Sequence, residues 1–208
     1  ADVRPCIACH QGCLGRIFQG KDISCAVNPA CGREESYAIT PAETKKKVLV
    51  IGGGLGGMEA ARVCALRGHS VDLYEKSGQL GGVFIAAAAP DFKGEDRQLL
   101  EWYRKQMEDL SVNVHLGTEA TEETVQGYDE VFVATGAHER RLDTPGFDSP
   151  NVTYAVDTLL HTEISGENVL IVGGGLTGCE IAYMLAKGGK KVTIVEMAET
   201  ILNAFGLS

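Results

Sequence analysis

Two stretches of this chain, about 121 residues apart, repeat one plan: an apolar run, glycines spaced G-x-G-x-x-G, a helical stretch, a second apolar run and a glutamate. The first is Val48-Leu49-Val50-Ile51, then Gly52-x-Gly54-x-x-Gly57, a helix predicted from Met58 to Arg67 that stops at Gly68, and Val71-Asp72-Leu73-Tyr74 ending in Glu75. The second is Val169 to Val172, then Gly173-x-Gly175-x-x-Gly178, a helix from Thr177 to Lys187, and Val192 to Val195 ending in Glu196. Apolar runs without alternation suit parallel strands covered on both faces, and parallel neighbours need a crossover between them. Strand, helix and strand in that order therefore imply a parallel sheet with right-handed crossovers.

A lone glycine triplet means little, but here each follows a strand, opens a helix and precedes an acid at the end of the next strand. The first glycine permits the tight turn, the second lets backbone approach a pyrophosphate, and the third lets helix and strand pack closely. The helix N-terminus adds partial positive charge. Glu75 would accept hydrogen bonds from an adenosine ribose. Glu196 would do the same at the second turn, where a carboxylate disfavours a 2′-phosphate and so selects NADH over NADPH. The competing readings are a glycine-rich turn without a ligand and, for Glu196, a solvated strand-end charge. The expected fold class is α/β, a Rossmann-like FAD/NAD(P)-binding fold with two dinucleotide-binding units, the second incomplete.

Upstream lie Cys6, Cys9, Cys13 and Cys25, spaced C-x2-C-x3-C-x11-C. Three thiolates in so short a run, with a fourth one loop later, can converge on a single soft-metal centre, and a cubane iron–sulfur cluster needs four. Placed before two nucleotide fingerprints, they suggest an electron wire attached to a flavin and nicotinamide module. Zinc also tolerates four thiolates, but structural zinc sites usually pair two short hooks, and this run has one followed by a C-x3-C. Seven cysteines, four of them within residues 6–25, fit disulfides poorly and fit ligation in a reducing cytoplasm well. Cys31 is an alternative to Cys25 as fourth ligand. His10 reads as a packed loop histidine rather than a tuner of the centre. Cys64 and Cys179 read as small buried apolar side chains in the fingerprint helices.

Between these features, an amphipathic helix is expected over residues 95–109, carrying Leu99, Leu100, Trp102, Tyr103 and Met107. Val112 to Leu116 alternates as a strand, Glu119 to Thr124 forms an acidic helix or turn, and Glu130 to Gly136 reads as another buried strand ending in a glycine turn. A short helix is expected near Val156 to Leu160. The domain reading is 1–36 as a cysteine-rich loop unit, 37–165 as the first nucleotide domain and 166–208 as the start of a second. A net charge of -9 and a pI near 5.1 argue against a nucleic-acid surface. Lys45-Lys46-Lys47 is read as a solvated lead-in to a strand, and Arg140-Arg141 as a solvated pair. No run approaches the roughly 18 apolar residues of a membrane span, and Ala1 opens no signal-peptide pattern.

With both fingerprints and the cysteine run in hand, the chain resembles the C-terminal half of an iron–sulfur flavoenzyme family. That family includes 2,4-dienoyl-CoA reductase, 2-enoate reductase and trimethylamine dehydrogenase. The phrase Val27-Asn28-Pro29 followed by Gly32-Arg33-Glu34 belongs to the likeness, which covers nearly all of the chain. The resemblance implies that Cys6, Cys9, Cys13 and Cys25 ligate a 4Fe-4S cluster. It implies that Gly52, Gly54, Gly56, Gly57, Glu75, Lys76, the Gly81-Gly82 turn and Ala134-Thr135-Gly136 line FAD, or only ADP as in trimethylamine dehydrogenase. Gly173, Gly175, Gly178 and Glu196 would hold NADH.

Family members carry a (β/α)8 barrel with FMN and the substrate pocket before the cysteine run, and a C-terminal remainder that completes both nucleotide domains. These are the expected partners of this chain, within one cytoplasmic enzyme acting on a small molecule and open to homo-oligomer formation. The implied route runs from NADH to FAD, to the cluster, to the barrel FMN and on to an activated carbon–carbon double bond. No general acid or base is required on this chain. The rivals are an amine dehydrogenase-like member with structural ADP, a flavin and NADH input subunit serving a separate partner, and a non-catalytic zinc and ADP module.

Overall fold

The computed structural model describes residues 3–141, 143–161 and 163–202. In chain order the elements are α1 (Leu14–Ile17), β1 (Lys47–Ile51), α2 (Leu55–Leu66), β2 (Ser70–Glu75), α3 (Phe84–Ala87), α4 (Gly94–Asp109), β3 (Asn113–Leu116), α5 (Glu122–Val125), β4 (Glu130–Val133), α6 (Ala155–Leu160), β5 (Asn168–Val172), α7 (Leu176–Lys187) and β6 (Lys191–Val195). They pack as two compact units, one from Ala1–Ala88 with Lys93–Ala137, the other from Ala89–Phe92 with His138–Ser208.

The first unit is a parallel sheet in the order β3-β2-β1-β4. Alternation sends Val48, Val50, Val71 and Leu73 to one face, where they meet Met58, Ala61 and Cys64 of α2 and Leu99, Leu100, Tyr103 and Met107 of α4. Burial pushes the Cys64 thiol pKa up, so it stays a neutral apolar filler there. Asp72 points from the strand at the register position of Leu49 and is buried. It accepts from Asn113 Nδ2 at 2.6 Å and meets His115 Nε2 at 3.0 Å, while the His115 ring stacks on Tyr74. That network satisfies a buried carboxylate that would otherwise be costly. The helix expected over 95–109 is there as α4, with its apolar face in the core.

The second unit holds a parallel pair, β5 with β6, and α7. Its register reproduces the first: Leu170 faces Thr193 as Leu49 faces Asp72. Its strands alternate between exposed and half-buried, whereas β1 is buried through Val48, Leu49 and Val50.

Three expectations need correction. The stretch Glu130 to Gly136 is not a buried strand: Phe132 is 43% and Val133 72% exposed, and among the described residues β4 pairs with β1 alone. Hydrophobic composition cannot distinguish an edge from a centre. His10 is exposed rather than packed, and Cys179 is only half-buried, its thiol donating to the Gly174 carbonyl at 3.4 Å. The short helices α1 and α3 were not expected at all. Among the described residues no helix is long and apolar enough to cross a membrane.

Leu49 is fully buried, and its counterpart in the repeat, Leu170, is 62% exposed. Leu49→Ala should destabilise the chain by about 2–5 kcal/mol. Leu170→Ala should change stability by less than about 0.5 kcal/mol. Chemical denaturation of both variants measures the contrast, and equal losses would contradict it.

Candidate functional site

Both fingerprints fold into the same backbone turn. Gly52 has φ +109° and Gly173 φ +112°, a region that favours glycine. A Cβ on Gly57 would lie 1.8 Å from the Gly52 carbonyl oxygen, and one on Gly178 would lie 2.0 Å from the Gly173 oxygen. These glycines are required by the protein itself, since only hydrogen lets helix and turn approach so closely. Gly54, Gly56 and Gly175 are different, for a Cβ on any of them would meet no protein atom within 4 Å. Packing does not explain their side-chain-free surface, which leaves room for a pyrophosphate against the turn.

The strand-end acids are bonded back to those turns. Glu75 accepts from the Gly53 amide at 2.6 Å and from the Ser77 amide at 2.8 Å. Glu196 accepts from the Gly174 amide at 2.7 Å and from the Ala198 amide at 2.9 Å. Glu75 is buried, which by itself raises its pKa, yet the Ser77 and Gly53 amides outweigh burial and hold it below the ordinary value of 4.5. For Glu196 the Ala198 and Gly174 amides lower the pKa in the same direction. Each acid is thus an anchored carboxylate beside the glycine turn, not a loose strand-end charge. Lys76 beside Glu75 is exposed. The equivalent position beside Glu196 is Met197, fully exposed and uncharged, with Glu199 two residues on.

Two further segments close on the first turn. Gly81 donates to the Gly53 carbonyl at 2.8 Å, and a Cβ on Gly82 would sit 3.0 Å from the Gly54 Cα. Both have positive φ. After β4, Ala134 donates to Ile51, and its own carbonyl lies where a Cβ of Gly52 would stand, with Thr135 next to it. Gly136 follows with φ +76°. The expected FAD-lining residues Gly81, Gly82, Ala134 and Thr135 are therefore drawn to one place. The second turn keeps part of this: Leu202 donates to Gly174 at 2.8 Å, and Ile201 packs over Gly174 as Leu80 packs over Gly53.

Arg104 was missed. Its guanidinium donates twice to the Leu80 carbonyl, at 3.1 and 2.7 Å, and Arg97 one turn-pair earlier on α4 donates to Ala88 at 2.7 Å. Together they hold the loop that carries Gly81 and Gly82. Two arginines seven apart on one helix face were the available signal.

All seven cysteines are free thiols. Cys6 and Cys9 are exposed, and Cys13, Cys25 and Cys31 are half-buried. Ala8 and His10 have φ of 52° and 55°, which coils the Cys6–Cys13 run, and the Ala8 amide donates to the Cys6 sulfur at 3.3 Å. The Ser24 amide donates to Gly12 at 2.7 Å, and a Cβ on Gly12 would come 2.6 Å from the Ser24 oxygen and 3.0 Å from the Cys25 Cα. Backbone contact thus brings the Cys13 and Cys25 segments together. Among the described residues no three His, Cys, Asp or Glu side chains are gathered to hold a single metal ion. Cys6, Cys9, Cys13 and Cys25 are therefore not gathered on one ion, although four thiols are the donor type that a soft-metal cluster takes.

The pyridine nucleotide-disulphide oxidoreductase family matches residues 46–208. Cinnamate reductase of Clostridium sporogenes is 50% identical over 206 residues, covering 98% of this chain and 31% of that protein. NADH oxidase of Thermoanaerobacter brockii is 40% identical over 208 residues, covering 96% of this chain and 32% of that protein. Among solved structures, 2-naphthoyl-CoA reductase in complex with 2-naphthoyl-CoA superposes with a TM-score of 0.91 at 35% identity, covering 97% of this chain and 31% of that one. The chain therefore spans about a third of the length of these relatives, and the likeness takes in the cysteine segment as well as the nucleotide units.

Removing the anchored carboxylate has a signed consequence. With its pKa depressed in the fold, Glu75 contributes fully above pH 4.5, and that contribution is lost as pH falls through the lower folded value. Glu75→Gln should cost about 1.5–3 kcal/mol at neutral pH, the scale of hydrogen bonds to a charged group. It should also flatten this part of the acid limb. Urea unfolding of wild type and variant from neutral to acid pH decides it, and an unchanged acid slope would contradict the assignment.

Proposed function

The chain belongs to the pyridine nucleotide-disulphide oxidoreductase family, and on that premise we propose that it is the electron-input portion of an NADH-dependent enoate reductase-type enzyme. In this reading the turn at Gly52, Gly54 and Gly57, with Glu75, Gly81, Gly82, Ala134 and Thr135, holds FAD. The turn at Gly173, Gly175 and Gly178, with Glu196, holds NADH. Cys6, Cys9, Cys13 and Cys25 hold a 4Fe-4S cluster, and an FMN-bearing barrel elsewhere in the enzyme reduces an activated carbon–carbon double bond. The observation that carries the reading is the doubly anchored acid at each glycine turn, with the four free thiols upstream and a cinnamate reductase and a 2-naphthoyl-CoA reductase among the relatives.

When bound, flavin would supply the exchange between two-electron nicotinamide chemistry and one-electron iron–sulfur chemistry. The chain's own residues bind and orient. Glycine amides and the α2 and α7 N-termini face the phosphates. Glu75 and Glu196 each direct carboxylate oxygens toward a ribose while held by backbone amides, so they need not reorganise on binding. Met197 and Glu199, close to Glu196 in sequence, offer no cation to a 2′-phosphate. The Gly12 contact fixes the loop that closes the cysteine set.

Purified anaerobically, the chain should contain about four iron and four sulfide per molecule, together with FAD. Absence of iron and acid-labile sulfide would overturn the reading. Gly12→Ala should lower the iron content at least severalfold while the flavin content stays, because its Cβ would press on Ser24 and Cys25. At the second site NADH should bind more tightly than NADPH. Glu196→Ser combined with Met197→Arg should reverse or narrow that preference by about tenfold or more, measured by calorimetric titration. An unchanged ratio would count against NADH recognition at Glu196.

A further inference from the structure

Arg4 precedes Cys6, the first of the four cysteines, by two residues. Its guanidinium donates to the Val27 carbonyl, two residues beyond Cys25. A different nitrogen of the same group, Nη2, reaches both carboxylate oxygens of Glu59 on α2, at 3.1 and 3.0 Å. It also lies over the Trp102 ring of α4, 4.6 Å from the centroid, with the Tyr103 ring at 5.6 Å. Arg62 forks onto Glu59 from the other side, at 2.8 and 2.9 Å, and approaches Trp102 at 5.6 Å. Arg4, Glu59 and Arg62 keep only 13%, 21% and 12% side-chain exposure.

We infer that Arg4 is a positioning residue that docks both ends of the cysteine segment onto the helix of the first glycine turn, fixing the cysteine ligands relative to the flavin site. The inference rests on the cluster reading for its functional consequence, though not for the docking itself. One guanidinium reaches the chain before Cys6, the chain after Cys25, α2 and α4. Burial raises the Glu59 pKa, but the Arg62 and Arg4 guanidiniums outweigh it, so the carboxylate stays charged between two guanidiniums. A lysine could supply the charge but not two nitrogens held in one plane, one for Val27 and one for Glu59, nor the stacking on Trp102. Ile7 and Val27 pack against the core of the same unit, which places an apolar contact beside the ionic one.

Hydrogen exchange and rapid mixing on the loaded enzyme test this, with Arg4→Met, Arg4→Lys, Glu59→Gln and the double variant Arg4→Met/Glu59→Gln. Arg4→Met should speed amide exchange across residues 6–27 by about tenfold or more, as when one member of a largely buried charged pair is removed. The double variant should exchange no faster than Arg4→Met, because the two side chains act as one contact. NADH should bleach the flavin absorbance at the wild-type rate, whereas bleaching of the iron–sulfur absorbance should slow by about tenfold, since a displaced reacting group loses rate steeply. Should Arg4→Met fail to fold, Arg4→Lys carries the same measurements. Wild-type exchange in these variants, full additivity in the double variant, or altered exchange with an unaltered iron–sulfur bleaching rate would each overturn the proposal. Lack of iron in the wild type would sink the cluster reading alone, and exchange would still decide the docking.

Discussion

The hydrogen bond from a fingerprint glycine amide to the acid at the end of the neighbouring strand organises both units. Gly53 to Glu75 and Gly174 to Glu196 each tie the turn between strand and helix to the end of the next strand. A second amide, Ser77 or Ala198, takes the remaining carboxylate oxygen. The charge is thereby stabilised by two backbone amides, beside a turn whose central glycine faces open space. An acid fixed in this way keeps one orientation, which under the proposed reading would lower the cost of binding a ribose.

Around that shared device the two units diverge. In the first, β4 brings Ala134 and Thr135 against Gly52, and α4 covers the sheet and holds the Gly81 loop through Arg104. In the second, the described residues include only β5 and β6 in the sheet, so Leu170, Val172 and Val195 remain exposed. Two similar apolar runs thus differ in burial among the described residues, Val48 to Val50 lying in the core and Val169 to Val172 alternating between exposed and half-buried. What differs is the covering that the described residues supply.

Much of this was legible in residue order. The glycine spacing, the strand-end glutamates and the Leu99, Leu100, Tyr103 and Met107 stripe on α4 all led to the elements they promised, because local periodicity and steric demand are encoded within a few residues. Val131, Phe132 and Val133 read as core and form an edge, since composition carries no information about what lies on either side of a strand. His10 and Cys179 were misjudged for the same reason: exposure depends on neighbours distant in the chain. The four cysteines suggest a soft-metal ligand set through spacing alone, which remains a proposal, and nothing near Arg4 announces that it meets Glu59 and Trp102.

By itself the amino-acid order determined the repeated strand, glycine turn, helix and acid, the supply of four thiols and the acidic character of the chain, because each is a local pattern of size, charge and backbone freedom. Only the tertiary structure decided which strand lies at an edge and which carbonyls the α4 arginines grip. It alone decided that one guanidinium joins the cysteine segment to α2 and α4. Those outcomes depend on groups tens of residues apart meeting in space, and a contact of that kind is selected by packing and desolvation across the whole unit rather than by any local sequence signal.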